Sequence, residues 1–96
     1  MIVVTSKDNH LVIEGHTDPV VCSSVSTVVY TCYNMLMDYD SQSIEFTDYK
    51  EIGTDYDKIE IFLKKYDTTT QLIWRITCQE LQELSIQYPQ NVTYIQ

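Results

Sequence analysis

The sequence predicts an α+β fold: a small mixed β-sheet with two helices packed on one face, in the element order ββαββαβ. Three observations predict it. Short runs of alternating or β-branched residues recur along the chain, two long stretches carry apolar residues at helical spacing, and turn or cap residues separate them. The 96 residues suit one domain, 1–96, large enough to hold a core without staples and free of repeats or linkers.

Ile2-Val3-Val4-Thr5 reads as a strand, Lys7-Asp8-Asn9 as a turn, and Leu11 to Gly15 as a second strand. This hairpin ends at Gly15-His16. Thr17-Asp18-Pro19 is a helix start, because an aspartate at the cap accepts from first-turn N–H groups and proline suits the first helical position. Val20–Met37 follows. Its β-branched residues favour a strand, but eighteen residues is long for one, and Val21, Val25, Val28, Val29, Cys32, Met35 and Leu36 recur at helical spacing. With so few charges, this helix is expected to be mostly buried across the sheet. Asp38-Tyr39-Asp40-Ser41 ends it. Ser43–Lys50 and Lys58–Lys65 read as strands joined by a loop around Gly53-Thr54-Asp55, with Ile59, Ile61 and Leu63 on one face of the second. Asp67-Thr68-Thr69 opens a helix that runs to about Gln87. Its apolar stripe is Trp74, Cys78, Leu81, Leu84 and Tyr88, while Gln79, Glu80, Gln82 and Glu83 face water. Pro89 stops it, and Val92–Ile95 forms a last strand.

Fourteen acidic against six basic residues give a net charge of −8. Such a surface repels phosphates and argues against a nucleic-acid-binding role. It suits a basic protein or peptide, or serves only to keep the chain soluble. No run of eighteen apolar residues occurs, so no membrane span is expected. The opening MIVVTSKDN does not follow the signal-peptide pattern, which points to a cytoplasmic protein. Cys22, Cys32 and Cys78 are odd in number and include no CxxC pair, so free thiols are expected rather than a disulfide framework. With two histidines they do not supply zinc-site spacing, and neither a metal nor another cofactor is expected. Asn91-Val92-Thr93 fits the glycosylation pattern but lacks a secretory context.

Gly15 and His16 stand together at a strand end, and Cys22 follows six residues after His16 in the opening of a helix. Gly15 allows a backbone conformation or close approach that other residues resist. The link Thr17–Val21 must reverse direction, which brings an imidazole towards a thiol, the pairing that nucleophilic catalysis needs. Thiolate is the reactive form, and both a helix N-terminus and a neighbouring imidazolium favour an anion. Cys22 is therefore the candidate nucleophile and His16 its base. Asp18 either caps the helix or orients His16 as the third member of a triad. Backbone donors around Cys22 and Ser23 are candidates for an oxyanion site. On chemistry alone, a cysteine in an apolar helix also fits simple packing. Cys32 and Cys78, on apolar stripes, read as packing residues. Tyr30, Tyr33 and Trp74 read as core, and His10, beside a turn, as a solvated side chain.

Glu14-Gly15-His16 followed by Val20-Val21-Cys22-Ser23-Ser24-Val25-Ser26 resembles the ribosomal-processing cysteine protease (Prp) family. That family carries Gly-His at a strand end and then a helix opening with an aliphatic pair, cysteine, two small residues, an aliphatic and a serine. Glu80-Leu81-Gln82-Glu83-Leu84 through Tyr88-Pro89 to Val92-Thr93-Tyr94-Ile95 is similar to the family's ending, so the likeness spans nearly the whole chain. The resemblance implies an endopeptidase that removes a short N-terminal extension from a large-subunit ribosomal protein, or, in phage relatives, processes capsid or scaffold proteins. It implies cutting after a hydrophobic motif ending in an aromatic residue, and a homodimer. It implies His16 as base, Cys22 as nucleophile and Ser26 as a supporting polar group. The chain departs from the pattern in its His-to-Cys link, which is half the family's length and lacks glycine, and in Pro19, which stands where the family has aspartate. A short, stiff link leaves a second reading in play, a non-catalytic relative that binds a ribosomal or capsid segment.

Overall fold

The computed structural model describes residues 1–49 and 57–96. Its elements are β1 (Ile2–Lys7), β2 (His10–Gly15), α1 (Pro19–Tyr39), β3 (Ile44–Asp48), β4 (Lys58–Leu63), α2 (Thr68–Gln87) and β5 (Val92–Ile95), the expected ββαββαβ order. The loop expected around Gly53-Thr54-Asp55 and the end of the strand expected to reach Lys50 lie outside the described residues. Five strands form one sheet in the order β3-β4-β2-β1-β5. The pairing of β1 with β5 is parallel, and the other neighbours run antiparallel.

Register puts the apolar residues on one face. Val4 faces Ile13, Leu11 faces Ile61, Ile44 faces Leu63 and Ile2 faces Val92. Onto this face pack Val21, Val25, Val29, Cys32 and Leu36 of α1 with Ile73, Trp74 and Leu81 of α2, making one continuous core. The stripe of α2 is broader than the alternation of large apolar residues suggests, because Thr70 and Thr77 are also buried. Thr77 hides its hydroxyl by donating to the Ile73 carbonyl at 2.8 Å. The α2 start is a closed capping box: Asp67 Oδ1 accepts from Thr70 N–H at 2.8 Å, and Thr70 Oγ1 accepts from Asp67 N–H at 3.0 Å.

Three expectations need correction. α1 runs to Tyr39, two residues past the expected end, before the Asp40 N–H donates to the Leu36 carbonyl. Nor is α1 mostly buried. It is long and apolar enough in composition to cross a bilayer, yet in this fold only one side meets the sheet, and Val20, Tyr30 and Met35 stay exposed. Polar surface comes from serines, threonines and tyrosines rather than charges, so counting charges overestimates burial. His10 likewise is not simply solvated, since its ring stacks on Phe62 with centroids 4.1 Å apart and Nε2 lies 3.5 Å from Glu60.

Candidate active site

The site forms where β2 runs out and α1 begins. The β2–β4 ladder ends at Glu14 and Lys58, which sets Gly15 beside Asp57, and the Gly15 N–H donates to the Asp57 carbonyl at 3.0 Å. Gly15 takes φ +102, and a Cβ there would run into the Met1 carbonyl oxygen. Only glycine fits this crossing. His16 follows with a half-exposed ring whose Nδ1 lies 4.0 Å from Asp57 Oδ2.

The chain then turns into the helix. Asp18 directs Oδ1 at the Val20 N–H, 2.9 Å away, so its carboxylate serves the α1 backbone as an N-cap. Pro19 takes the first helical position, and the Cys22 N–H donates to the Asp18 carbonyl at 2.9 Å. This half-turn brings the Cys22 side chain back over the link. The Thr17 N–H donates to Sγ at 3.3 Å, and Sγ lies 3.4 Å from the Thr17 carbonyl oxygen. A thiol finds an acceptor there and a thiolate finds a donor, so either protonation state has a partner. Thr17 is itself fastened, because Asn91 Nδ2 donates to its hydroxyl at 2.6 Å and the Asn91 carbonyl accepts from Ile2 N–H at 2.8 Å.

Gly15, His16, Cys22, Ser26 and Asp57 line one cavity of about 120 Å³, floored by Ile13, Val25 and Ile59. Ser26 thus joins His16 and Cys22, whereas Ser23 lies along a different groove. Among the described residues the hydrogen-bond partners of Sγ are the Thr17 backbone groups. Thr17, Asp57 and Asn91 have no sequence signal: the first acts through its backbone, and the others arrive through pairings distant in the chain. All three cysteines are free, with Cys32 in the core and Cys78 partly buried. Burial pushes the Cys32 thiol up, away from the reactive form. Among the described residues, no three His, Cys, Asp or Glu side chains cluster closely enough to hold a metal ion.

Comparisons with known proteins agree with this architecture. The chain is similar to the S. aureus ribosomal processing protease Prp in complex with a covalently linked product peptide, at 18% identity and TM-score 0.74, covering 98% of this chain and 95% of that one. It is similar to SMU.848 from Streptococcus mutans at 18% identity and TM-score 0.78, covering 98% and 90%. The S. aureus protease with a substrate peptide gives 18% identity and TM-score 0.63, covering 97% and 94%. These likenesses show the fold. No curated protein matches by sequence. The family model for cysteine protease Prp matches residues 1–93, nearly the whole chain, and the chain belongs to that family.

Proposed function

We propose that Cys22 and His16 form the catalytic dyad of an endopeptidase that trims a short N-terminal extension from a large-subunit ribosomal protein, with phage capsid or scaffold proteins as the alternative substrate. The observation that carries this reading is the cavity that holds His16 and Cys22 together, with the Thr17 N–H aimed at the sulfur. His16 takes the Cys22 proton as the sulfur attacks the peptide carbonyl carbon, then returns it to the leaving amine as the C–N bond breaks. Water, deprotonated by the same imidazole, cleaves the thioester and restores the thiol. The Cys22 N–H is committed to the Asp18 carbonyl, so the Thr17 N–H, rather than donors at Cys22 and Ser23, is the backbone donor that faces the developing oxyanion. Ser26 supports the polar wall of the cavity, and Gly15 keeps the strand end thin. Asp18 holds α1 in place, while Asp57 faces Nδ1 of His16 and acts as a positioning residue, leaving Nε2 for the chemistry. The S. aureus relatives hold substrate and product peptides, which supports a peptide in this cleft. We further infer cytoplasmic action, which three free thiols support, and a homodimer.

The test is mass spectrometry of the protein incubated with a peptide spanning an aromatic-ended ribosomal extension, beside Cys22→Ala. Cleavage at one bond, lost in the variant, is expected. A peptide that binds without being cut points to the binding-module reading, to which the engagement of Sγ with Thr17 would then contribute. A peptide that neither binds nor is cut removes the ribosomal assignment.

A further inference from the structure

On the side of α1 away from the catalytic cavity, α1 and α2 leave an open groove of about 730 Å³. Cys22 and Ser26 point one way and Val20, Ser24 and Thr27 the other, as helical spacing requires. Val20, Val28 and Leu84 supply apolar surface, with Val20 68% exposed despite its type, and Glu80 and Glu83 form an acidic wall. Among the described residues, no lysine or arginine lines the groove to balance them. α1 contains no lysine or arginine, and the one basic residue of α2, Arg75, faces a different cavity beside Cys78 and Tyr94. Among the described residues, neither glutamate belongs to an ion pair.

Exposed aliphatic surface beside uncompensated carboxylates suits a cationic polypeptide with apolar anchors. It does not suit a second copy across a two-fold axis, which would set Glu80 and Glu83 of each chain against the same acidic wall. It does not suit an anionic bilayer either, given the net charge of −8. The near end of the groove, at Pro19 and Val20, adjoins the turn that carries the dyad. A helix with its side chains is about 10–12 Å across, and an extended chain advances about 3.3 Å per residue. Roughly four to six residues therefore carry a substrate from Cys22 around the first turn of α1 into the groove.

We propose that this groove docks a lysine- or arginine-bearing, apolar-anchored segment of the protein substrate, outside the cleft that holds the scissile bond. The proposal rests on the peptidase reading above for the identity of its ligand, but its test reads binding alone. The probe is a fluorescein-labelled twelve-residue peptide of Leu-Lys-Lys-Leu repeats, titrated by anisotropy against the Cys22→Ala protein, with methyl NMR shifts recorded. A second peptide carries glutamate in place of lysine. Expected are saturable binding of the lysine peptide only, shifts at Val20, Val28 and Leu84, and binding about three- to tenfold weaker in Glu80→Gln/Glu83→Gln. Equal affinity in that double variant, shifts confined to other surfaces, or equal binding of the glutamate peptide overturns the proposal. Alkylation of Cys22 by iodoacetamide, measured in parallel on the unsubstituted protein, separates the two readings: an inert thiol with intact groove binding defeats the peptidase mechanism and leaves the groove standing.

Discussion

The two helices begin with similar residues and put them to different uses. α2 opens on Asp67 with a reciprocal cap, and Thr70, fully buried, donates its hydroxyl to the Lys65 carbonyl at 2.8 Å. The Asp67 and Thr70 N–H groups and the Thr70 hydroxyl are all engaged by neighbours, so the start is a fixed joint. α1 opens on Asp18 with a single exposed bond to Val20 N–H, and the link before it spends a backbone donor on a sulfur atom. A thiol accepts weakly, so that N–H is held for an anion rather than committed to structure. The comparison teaches that similar cap residues can either close a helix start on itself, as at Asp67, or leave a backbone donor beside a side chain suited to chemistry, as the proposed role of Cys22 requires.

The largest expected effect breaks the reactive end. His16→Ala lowers kcat by about 10²–10⁴-fold, the usual worth of a general base, with thermal unfolding nearly unchanged because the ring is half exposed. If kcat survives, α1 is only a structural start with a cysteine in it. Next comes the structural end. Thr70→Val strands the Asp67 N–H and the Lys65 carbonyl and costs about 1–3 kcal/mol by urea denaturation, with peptide cleavage by the folded fraction intact. An unaffected midpoint would mean the box is ornamental.

Smaller effects sharpen the contrast between the carboxylates. Asp57→Asn lowers kcat up to about fivefold, because a half-exposed pair contributes no more than about 1 kcal/mol. A fall in kcat with KM unchanged, and partial recovery in Asp57→Glu, marks positioning of His16; an unchanged kcat rules it out. The smallest effect is on acid stability. The Thr70 N–H holds the Asp67 carboxyl below the usual range, and the Lys65 ammonium does the same for Asp40. A depressed folded value means stability present above the unfolded carboxyl value of about 4 and lost as pH falls through the folded one. The urea midpoint should therefore drop below about pH 4. Asp67→Asn, which still caps, should show a shallower drop.

Much of the fold was legible because periodicity is local. The α2 limits, its aspartate cap and Pro89 beyond its end are all short-range signals, and the helical spacing of the α1 valines outweighed their β-branching. The outward surface of α1 was not legible, since an apolar residue does not reveal which side of a helix the sheet will take. Parallel pairing of β1 with β5 has no local signature either. Within the site, Gly15, His16 and Cys22 were readable because they lie within eight residues of one another. Asp57 reaches His16 through the β2–β4 register, and Asn91 reaches Thr17 from 74 residues away. The sequence also left open whether Asp18 turns to His16 or to the helix, a choice made by backbone angles of −48° and 136° at that residue.

The Asn91 grip on Thr17 also orders events in time. A ribosome delivers the hairpin, His16 and Cys22 early, while Asn91 emerges only after α2 is complete. Until residues 88–95 emerge and dock beside β1, the link carrying the thiol's donor is untied and the cleft unfinished. A nascent chain thus carries Cys22 before the residues that fasten its Thr17 neighbour, and the geometry around the sulfur is complete only once β5 has paired with β1.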